Sequence, residues 1–355
     1  MVVDVIIGAQ GGDEGKGLIS AFLSLNGDYS VIVRDCSPQA GHSNIINEKR
    51  VGLAHLPAGV INPKMRLLLG GGSLISVEKL LKEIEETGMN PEMLGIDPRA
   101  TIVTKEHQLE ERANENLMKG SGSVGTGAGI ARKDKLMRSP KVIFAKHIFE
   151  LQEYLVDTRE EIYKTICRGE KVLLEGDHGA KLDLTWGDWN VVTSKNTNAC
   201  QFLSDCFIGP KYVRDVIMVM KPYTTMVAQS GIQKLEKIID DDALVDWAHS
   251  SGGEIGTVSK RSRNLGEIEW DKLRQVVKYN GVTEIAITHM DFPRFNGATE
   301  DKLTKEAKEF LEEVKKRLCS GFYFSPVIGI LSFGQKVEDV AYYKEWKYAS
   351  MDSAR

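Results

Sequence analysis

The stretch GAQGGDEGKG, residues 8–17, follows the apolar run Val2 to Ile7 and puts two carboxylates, Asp13 and Glu14, inside a glycine-rich loop. Glycines let successive backbone N–H groups converge on phosphate oxygens, a following helix offers its N-terminus, and Lys16 adds a cation. The Walker pattern G-x-x-x-x-G-K-[ST] is not met: counting back from Gly15 puts Gln10 at its first glycine, and Gly17 stands where Ser or Thr would. Gly12, Gly15, Lys16 and Gly17 are therefore candidate phosphate contacts in a loop of another kind. Taken alone, the same residues equally describe a tight strand-to-helix turn with two solvated N-terminal acids. A carboxylate beside a triphosphate is repelled unless it holds Mg²⁺ or takes a proton from a reacting group, so Asp13 gains meaning beside a second group. SPQAGHSN, residues 37–44, supplies His42 at the end of a loop that follows a predicted strand.

Three further stretches carry chemistry. THMD, 288–291, closes an apolar run, and Asp291 there can accept N1–H and N2–H of guanine as a pair. GTVSKRSRN, 256–264, gathers Lys260, Arg261 and Arg263, whose guanidinium forks match a dicarboxylate. GSVGTGAGIARKDKLMR, 122–138, is a second glycine-rich segment that reads as a binding loop. Each has a plain alternative: a helix cap, a solvated basic loop, a tight turn.

The elements that must position these residues follow from pattern. Apolar, β-branched runs at 2–8, 29–35, 65–72, 171–176, 214–221, 283–291 and 325–332 end in glycine or polar clusters, as buried strands do where they open into loops. Helical patterns at 75–87, 104–118, 147–168, 269–279 and 302–318 alternate with them. The expected fold class is α/β, a large mostly parallel central sheet flanked by helices, in a single domain over 1–355 with long active-site loops. Lys plus Arg number 46 and Asp plus Glu 50, without like-charge blocks, so neither nucleic acid nor a membrane surface is expected as a partner. Five cysteines lack CxxC spacing, and no basic leader or long apolar stretch occurs, which fits a reducing cytoplasm.

The spacing G-x-Q-x-G-D-E-G-K-G followed by A-G-H-[ST] resembles the adenylosuccinate synthetase family, and further motifs recur in order along nearly the whole chain. The resemblance implies a P-loop-NTPase-like fold and a ligase with GTP as co-substrate and Mg²⁺ as cofactor. Asp13 would take the N1 proton of a 6-oxopurine 5′-monophosphate so that O6 attacks the γ-phosphate, and His42 would stabilise the developing charge. L-aspartate would then displace phosphate from C6. By the same resemblance Asp13 and Gly41 would hold the metal, Asp291, Ser332 and Gly334 the GTP base, and Ser259, Arg261 and Arg263 the aspartate. Gln39, Ser123, Val124, Arg138, His178, Thr193 and Val227 would line the acceptor nucleotide, with Arg138 reaching across a homodimer interface. Glu14 is assigned a local structural role.

The departures from the family pattern concentrate on the acceptor. Val124 replaces a threonine, Gln39 an asparagine, His178 a glutamine, and Met226 and Ala228 an arginine and a glycine beside the ribose, whereas the donor and chemistry positions survive. Joint drift at one subsite is what a changed acceptor would produce. The family's phage branch joins aspartate to dGMP for 2-aminoadenine DNA, and dGMP is preferred here narrowly over IMP; that branch often carries serine where this chain keeps Asp13. A non-catalytic nucleotide-binding relative is the alternative from another class, and a dinucleotide oxidoreductase is excluded because residues 8–17 lack G-x-G-x-x-G spacing.

Overall fold

Nine strands form one central sheet in the computed structural model, which describes residues 1–46, 48–189, 191–227, 235–250, 254 and 262–343. In chain order they are β1 (Val3–Gly8), β2 (Tyr29–Arg34), β3 (Arg66–Leu69), β4 (Leu94–Ile96), β5 (Lys171–Glu175), β6 (Val213–Met220), β7 (Glu284–Ile287), β8 (Val327–Ser332) and β9 (Val340–Tyr342). Their spatial order is β9-β8-β7-β6-β1-β5-β2-β3-β4; all pairs are parallel except the edge pair β8–β9. The sheet is thus mostly parallel, as the alternating pattern required.

Strand β1 shows why the runs are apolar throughout. Its alternate residues Val3, Val5 and Ile7 enter one buried cluster and Ile6 enters the other, so both faces are covered. Ile6 packs in the same cluster as Ile19, Ala21 and Phe22 of the first helix, α1 (Lys16–Asn26). The last long helix, Lys305–Leu318, turns Ala307, Leu311, Val314 and Leu318 inward and starts at Thr304, whose side chain accepts from the Ala307 N–H. Among the described residues no helix is long and apolar enough to cross a membrane.

Two expected helices are broken. The 147–168 pattern forms a 3-10 segment, Phe149–Tyr154, and a separate helix, Thr158–Cys167, because the Asp157 side chain accepts from the N–H groups of Arg159 and Glu160 and caps the second. The 104–118 pattern ends as a helix at Ala113, where Asn114 is extended, before a wide turn at Asn116–Gly120. The second glycine-rich segment holds a loop and then a helix, Ala128–Leu136. Residues 42–53, read partly as loop, form the hairpin His42–Ile46 with Lys49–Leu53.

The edge of the sheet away from the strand C-termini buries Asp4, Tyr29 and Glu284 beside the half-buried Arg214 and Asp215. Arg214 pairs with both aspartates, and the Tyr29 hydroxyl donates to Asp4 at 2.5 Å. Glu284 is pushed up to about 8, first by burial and then by the charges of Asp215 and Asp4. A carboxyl raised above its unfolded value of about 4.3 favours folding at low pH and loses that contribution as pH rises through 8. Glu284→Gln is expected to flatten the fall in stability between about pH 4.5 and 8, read as urea midpoints across pH; an unchanged profile would remove Glu284 as its source.

Candidate active site

The C-terminal ends of the parallel strands open into a cavity of about 590 Å³. The glycine loop, Gly41, His42, the 121–124 loop, His178, Thr193, Arg263, Asp291 and Gly334 all line it. The loop's shape is set by close approach. Gly12 has φ +101, and a Cβ there would stand 3.1 Å from His178 Cα. A Cβ at Gly17 would stand 2.7 Å from His42 Cβ, which explains why this position cannot carry the Walker hydroxyl.

Glu14 is fully buried and holds the loop from within. Its Oε1 accepts from the N–H groups of Gln10 at 2.7 Å and Gly12 at 2.9 Å, and its Oε2 lies 2.8 Å from Lys16 Nζ. The loop therefore carries its own anion under Lys16.

Asp13 faces the cavity among cations. Lys221 Nζ lies 3.3 Å from Oδ1, Arg263 Nε 3.0 Å from Oδ2, and the Thr225 hydroxyl donates to Oδ2. Burial raises its pKa, but Lys221 and then Arg263 outweigh that and hold it well below the usual carboxylate range, so Asp13 is ionised and able to take a proton. Lys221 in turn donates to Glu254 Oε1 at 2.6 Å, which also accepts from Tyr223 at 2.7 Å, while Arg263 reaches Glu254 Oε2 at 3.0 Å. Two carboxylates and two cations thus compensate one another.

His42 opens the hairpin and directs Nδ1 at Glu175 Oε1, 2.5 Å away. Glu175 ends β5, where it also accepts from Ser20 at 2.5 Å and the Ala58 N–H at 2.8 Å. Burial and the Arg34 charge push His42 down to about 4 against the pull of Glu175, leaving a neutral imidazole anchored on one nitrogen.

The remaining predicted residues fall in three groups. Asp291 follows β7, is raised by burial and Asp339, and has a buried Oδ1 without a hydrogen-bond partner; Ser332 ends β8 and donates to the Gly334 carbonyl at 2.8 Å nearby. On the opposite part of the wall, Gln39 accepts from Thr126 at 3.4 Å, Ser123 donates to Glu111, Val124 lines the cavity, and Thr193 Oγ1 lies 3.5 Å from His178 Nε2. Arg138 sits exposed at φ +53 after its helix, and the backbone of Val227 ends the strand Thr224–Val227 in register with Arg263. Ser259 and Arg261 lie outside the described residues.

Sequence reasoning missed Lys221, Glu254 and Arg34. A cation ending the apolar run 214–221 was the available signal for Lys221; Glu254, in a polar loop, offered none.

A glycine loop and ionisable groups at the C-terminal edge of a parallel sheet define a nucleotide-binding α/β enzyme. Comparison with known proteins narrows that class. The adenylosuccinate synthetase family model matches residues 5–145 and 142–305. Adenylosuccinate synthetase of Pyrococcus horikoshii is 34% identical over 342 residues, covering 95% of this chain and 97% of that protein. The Methanocaldococcus jannaschii protein of the same name is 37% identical over 319 residues, covering 88% and 90%. The fully ligated Plasmodium falciparum adenylosuccinate synthetase superposes with TM-score 0.84 at 22% identity, covering 96% of this chain and 99% of that one. The succinoaminodeoxyadenylate synthetase of cyanophage S-2L, bound to dGMP and dATP as an energy donor, gives 0.79 at 23%, covering 96% and 95%. The chain belongs to the adenylosuccinate synthetase family, ligases that form a C–N bond with GTP.

Glu175→Gln keeps the side-chain volume but removes the charge that fixes His42. Turnover is expected to fall on the order of 10²–10⁴-fold, with nucleotide KM changed only a few-fold. Steady-state kinetics would check this; a raised KM with kcat unchanged would mean that Glu175 serves binding instead.

Proposed function

We propose that the chain is a GTP-dependent ligase that joins L-aspartate to C6 of dGMP, giving N6-succino-2-amino-2′-deoxyadenylate, GDP and phosphate. The carrying observation is that ionised Asp13 and carboxylate-anchored His42 open into the same cavity as Asp291. Asp13 takes N1–H, O6 attacks the γ-phosphorus as GDP leaves, and the aspartate amine then displaces phosphate from C6. The incoming triphosphate raises the pKa of His42 from about 4 by its negative charge, so that Nε2 can donate toward O6. Lys16 and the loop amides meet the phosphates, and the unpartnered Asp291 Oδ1 suits guanine N–H donors beside Ser332 and Gly334.

Asp13 and Gly41 would hold Mg²⁺, which would supply charge neutralisation in phosphoryl transfer. The fit is one of hard oxygen donors: the ionised Asp13 carboxylate, whose Oδ1 meets the Lys221 ammonium at 3.3 Å, and Gly41 line the same cavity. Ser259, Arg261 and Arg263 grip L-aspartate. Gln39, Ser123, Val124, His178, Thr193 and Val227 surround the acceptor, whose 5′-phosphate is completed by Arg138 of the partner subunit in a cytoplasmic homodimer; exposure of Arg138 in the single chain supports that reading.

The acceptor choice rests on the replacements at Val124, His178 and Met226 and on the dGMP-bound phage relative. IMP is the second reading, favoured by the archaeal relatives and by retention of Asp13. Purified protein given GTP, Mg²⁺ and L-aspartate with dGMP, GMP, dIMP or IMP separately is expected to release phosphate and form the succino-product fastest with dGMP. Preference for IMP would assign ordinary adenylosuccinate synthesis, and silence with all four would leave a non-catalytic relative. Asp13→Asn is expected to abolish turnover while nucleotide binding by calorimetry stays within about tenfold; surviving turnover would take Asp13 out of the reaction.

A further inference from the structure

Beneath the acceptor side of the cavity lie three buried charges that phosphoryl transfer does not use. Lys195 Nζ is 2.6 Å from Asp35 Oδ2 and 2.9 Å from Asp177 Oδ1, and the Ser37 hydroxyl donates to Asp177 Oδ2 at 3.3 Å. Burial raises the Asp177 pKa, but Lys195 and His178 hold it well below the usual carboxylate range. Lys195 is raised despite burial by Asp177 and Asp35. Asp177 and Lys195 are thus held ionised against each other.

Asp177 Oδ1 also lies 3.3 Å from His178 Nδ1, within ion-pair range though not in hydrogen-bond geometry. The negative charge beside Nδ1 favours the tautomer with its proton there, which leaves a lone pair on Nε2. The polar neighbour of Nε2, Thr193 Oγ1, is 3.5 Å away, too long for a good hydrogen bond, so Nε2 keeps accepting capacity. The His178 backbone packs on Gly12, next to Asp13, and both residues line one cavity, so the base placement proposed above sets the purine in the same cavity as His178.

We propose that Asp177, held by Lys195 and Asp35, is a positioning residue that fixes His178 with Nε2 as a hydrogen-bond acceptor, and that this acceptor selects a purine nucleotide with an amino group at C2. The chemistry of the base leaves little choice. In a 6-oxopurine nucleotide O6, N3 and N7 accept and N9 carries the sugar, so the donors are N1–H, taken by Asp13, and the 2-amino group where one is present. Hypoxanthine offers C2–H and leaves Nε2 dehydrated and unpaired, which disfavours it on the order of tenfold to hundredfold. This inference deepens the proposed acceptor reading and rests on its placement of the base beside Asp13.

The test has two arms. In the wild-type protein, long-range ¹H–¹⁵N correlation of the His178 ring is expected to show Nδ1–H; an Nε2–H tautomer would overturn the proposal. In the second arm, Kd for dGMP and dIMP is measured by calorimetry for wild type, Asp177→Asn and His178→Gln. The asparagine amide can donate to Nδ1 and so favours the opposite tautomer. Both variants are expected to lower the dGMP-over-dIMP preference at least tenfold, chiefly by weakening dGMP. Equal weakening of both ligands would mark Asp177 as merely structural and overturn the proposal. His178→Gln, on the cavity wall, carries the second arm if Asp177→Asn does not fold. The acceptor reading is judged separately, by wild-type turnover: use of IMP alone would sink it while the tautomer and the ratio still decide the role of Asp177.

Discussion

Glu175 is the interaction on which the reactive end of the sheet depends. A carboxylate buried at a strand terminus needs donors from every side, and here they come from α1 through Ser20, from the 3-10 turn through the Ala58 N–H, and from the hairpin through His42. Arg34, in register with Glu175 on the neighbouring strand, lies 3.7 Å away and supplies the compensating charge. Arg34 also donates to the carbonyls of Ala40 at 2.9 Å and Leu56 at 3.0 Å, so the same two residues fix both ends of the segment that carries Gly41 and His42. One ion pair between adjacent strands thus sets the distance between the imidazole and the glycine loop.

A second balance of the same kind governs Asp13. The base role proposed for it needs an ionised carboxylate in a buried place, which desolvation opposes and Lys221 and Arg263 permit. Glu254 keeps those two cations from being an uncompensated excess. Arg263 therefore already holds two carboxylates of the protein itself, and neither it nor Asp13 is a buried charge without a partner.

The central strands and the glycine loop were legible because each is a local pattern: apolar runs closed by glycine, and a cation after closely spaced glycines. Asp13 and His42 were legible as a pair only through their joint spacing. What escaped was set by tertiary contact. Asp157 breaks the 147–168 helix by turning its side chain onto backbone N–H groups, a choice that an otherwise good helical pattern hides. The short edge strands Leu94–Ile96 and Val340–Tyr342 gain their identity from a neighbour already in place. Lys221 and Glu254 are 33 positions apart and become a pair only when β6 and the following loop fold together.

The cavity also separates what a family must keep from what one member can change. Phosphoryl transfer asks for charge at fixed distances, and the groups proposed for it, Asp13, Lys16 and His42, are each held by carboxylates or cations on neighbouring elements. Such groups cannot drift singly, because removal of one partner leaves the other buried and uncompensated. The acceptor wall is built differently: Val124 and Thr193 meet the cavity without charged partners, whereas His178 leans on a buried ion network and Ser123 on Glu111. Replacing apolar or hydroxyl side chains in such a wall costs little in folding, whereas His178 requires that Asp177 and Lys195 be present with it. The change of acceptor proposed for this chain would therefore meet less resistance from the fold at Val124 and Thr193 than a change at Asp13 or His42 would.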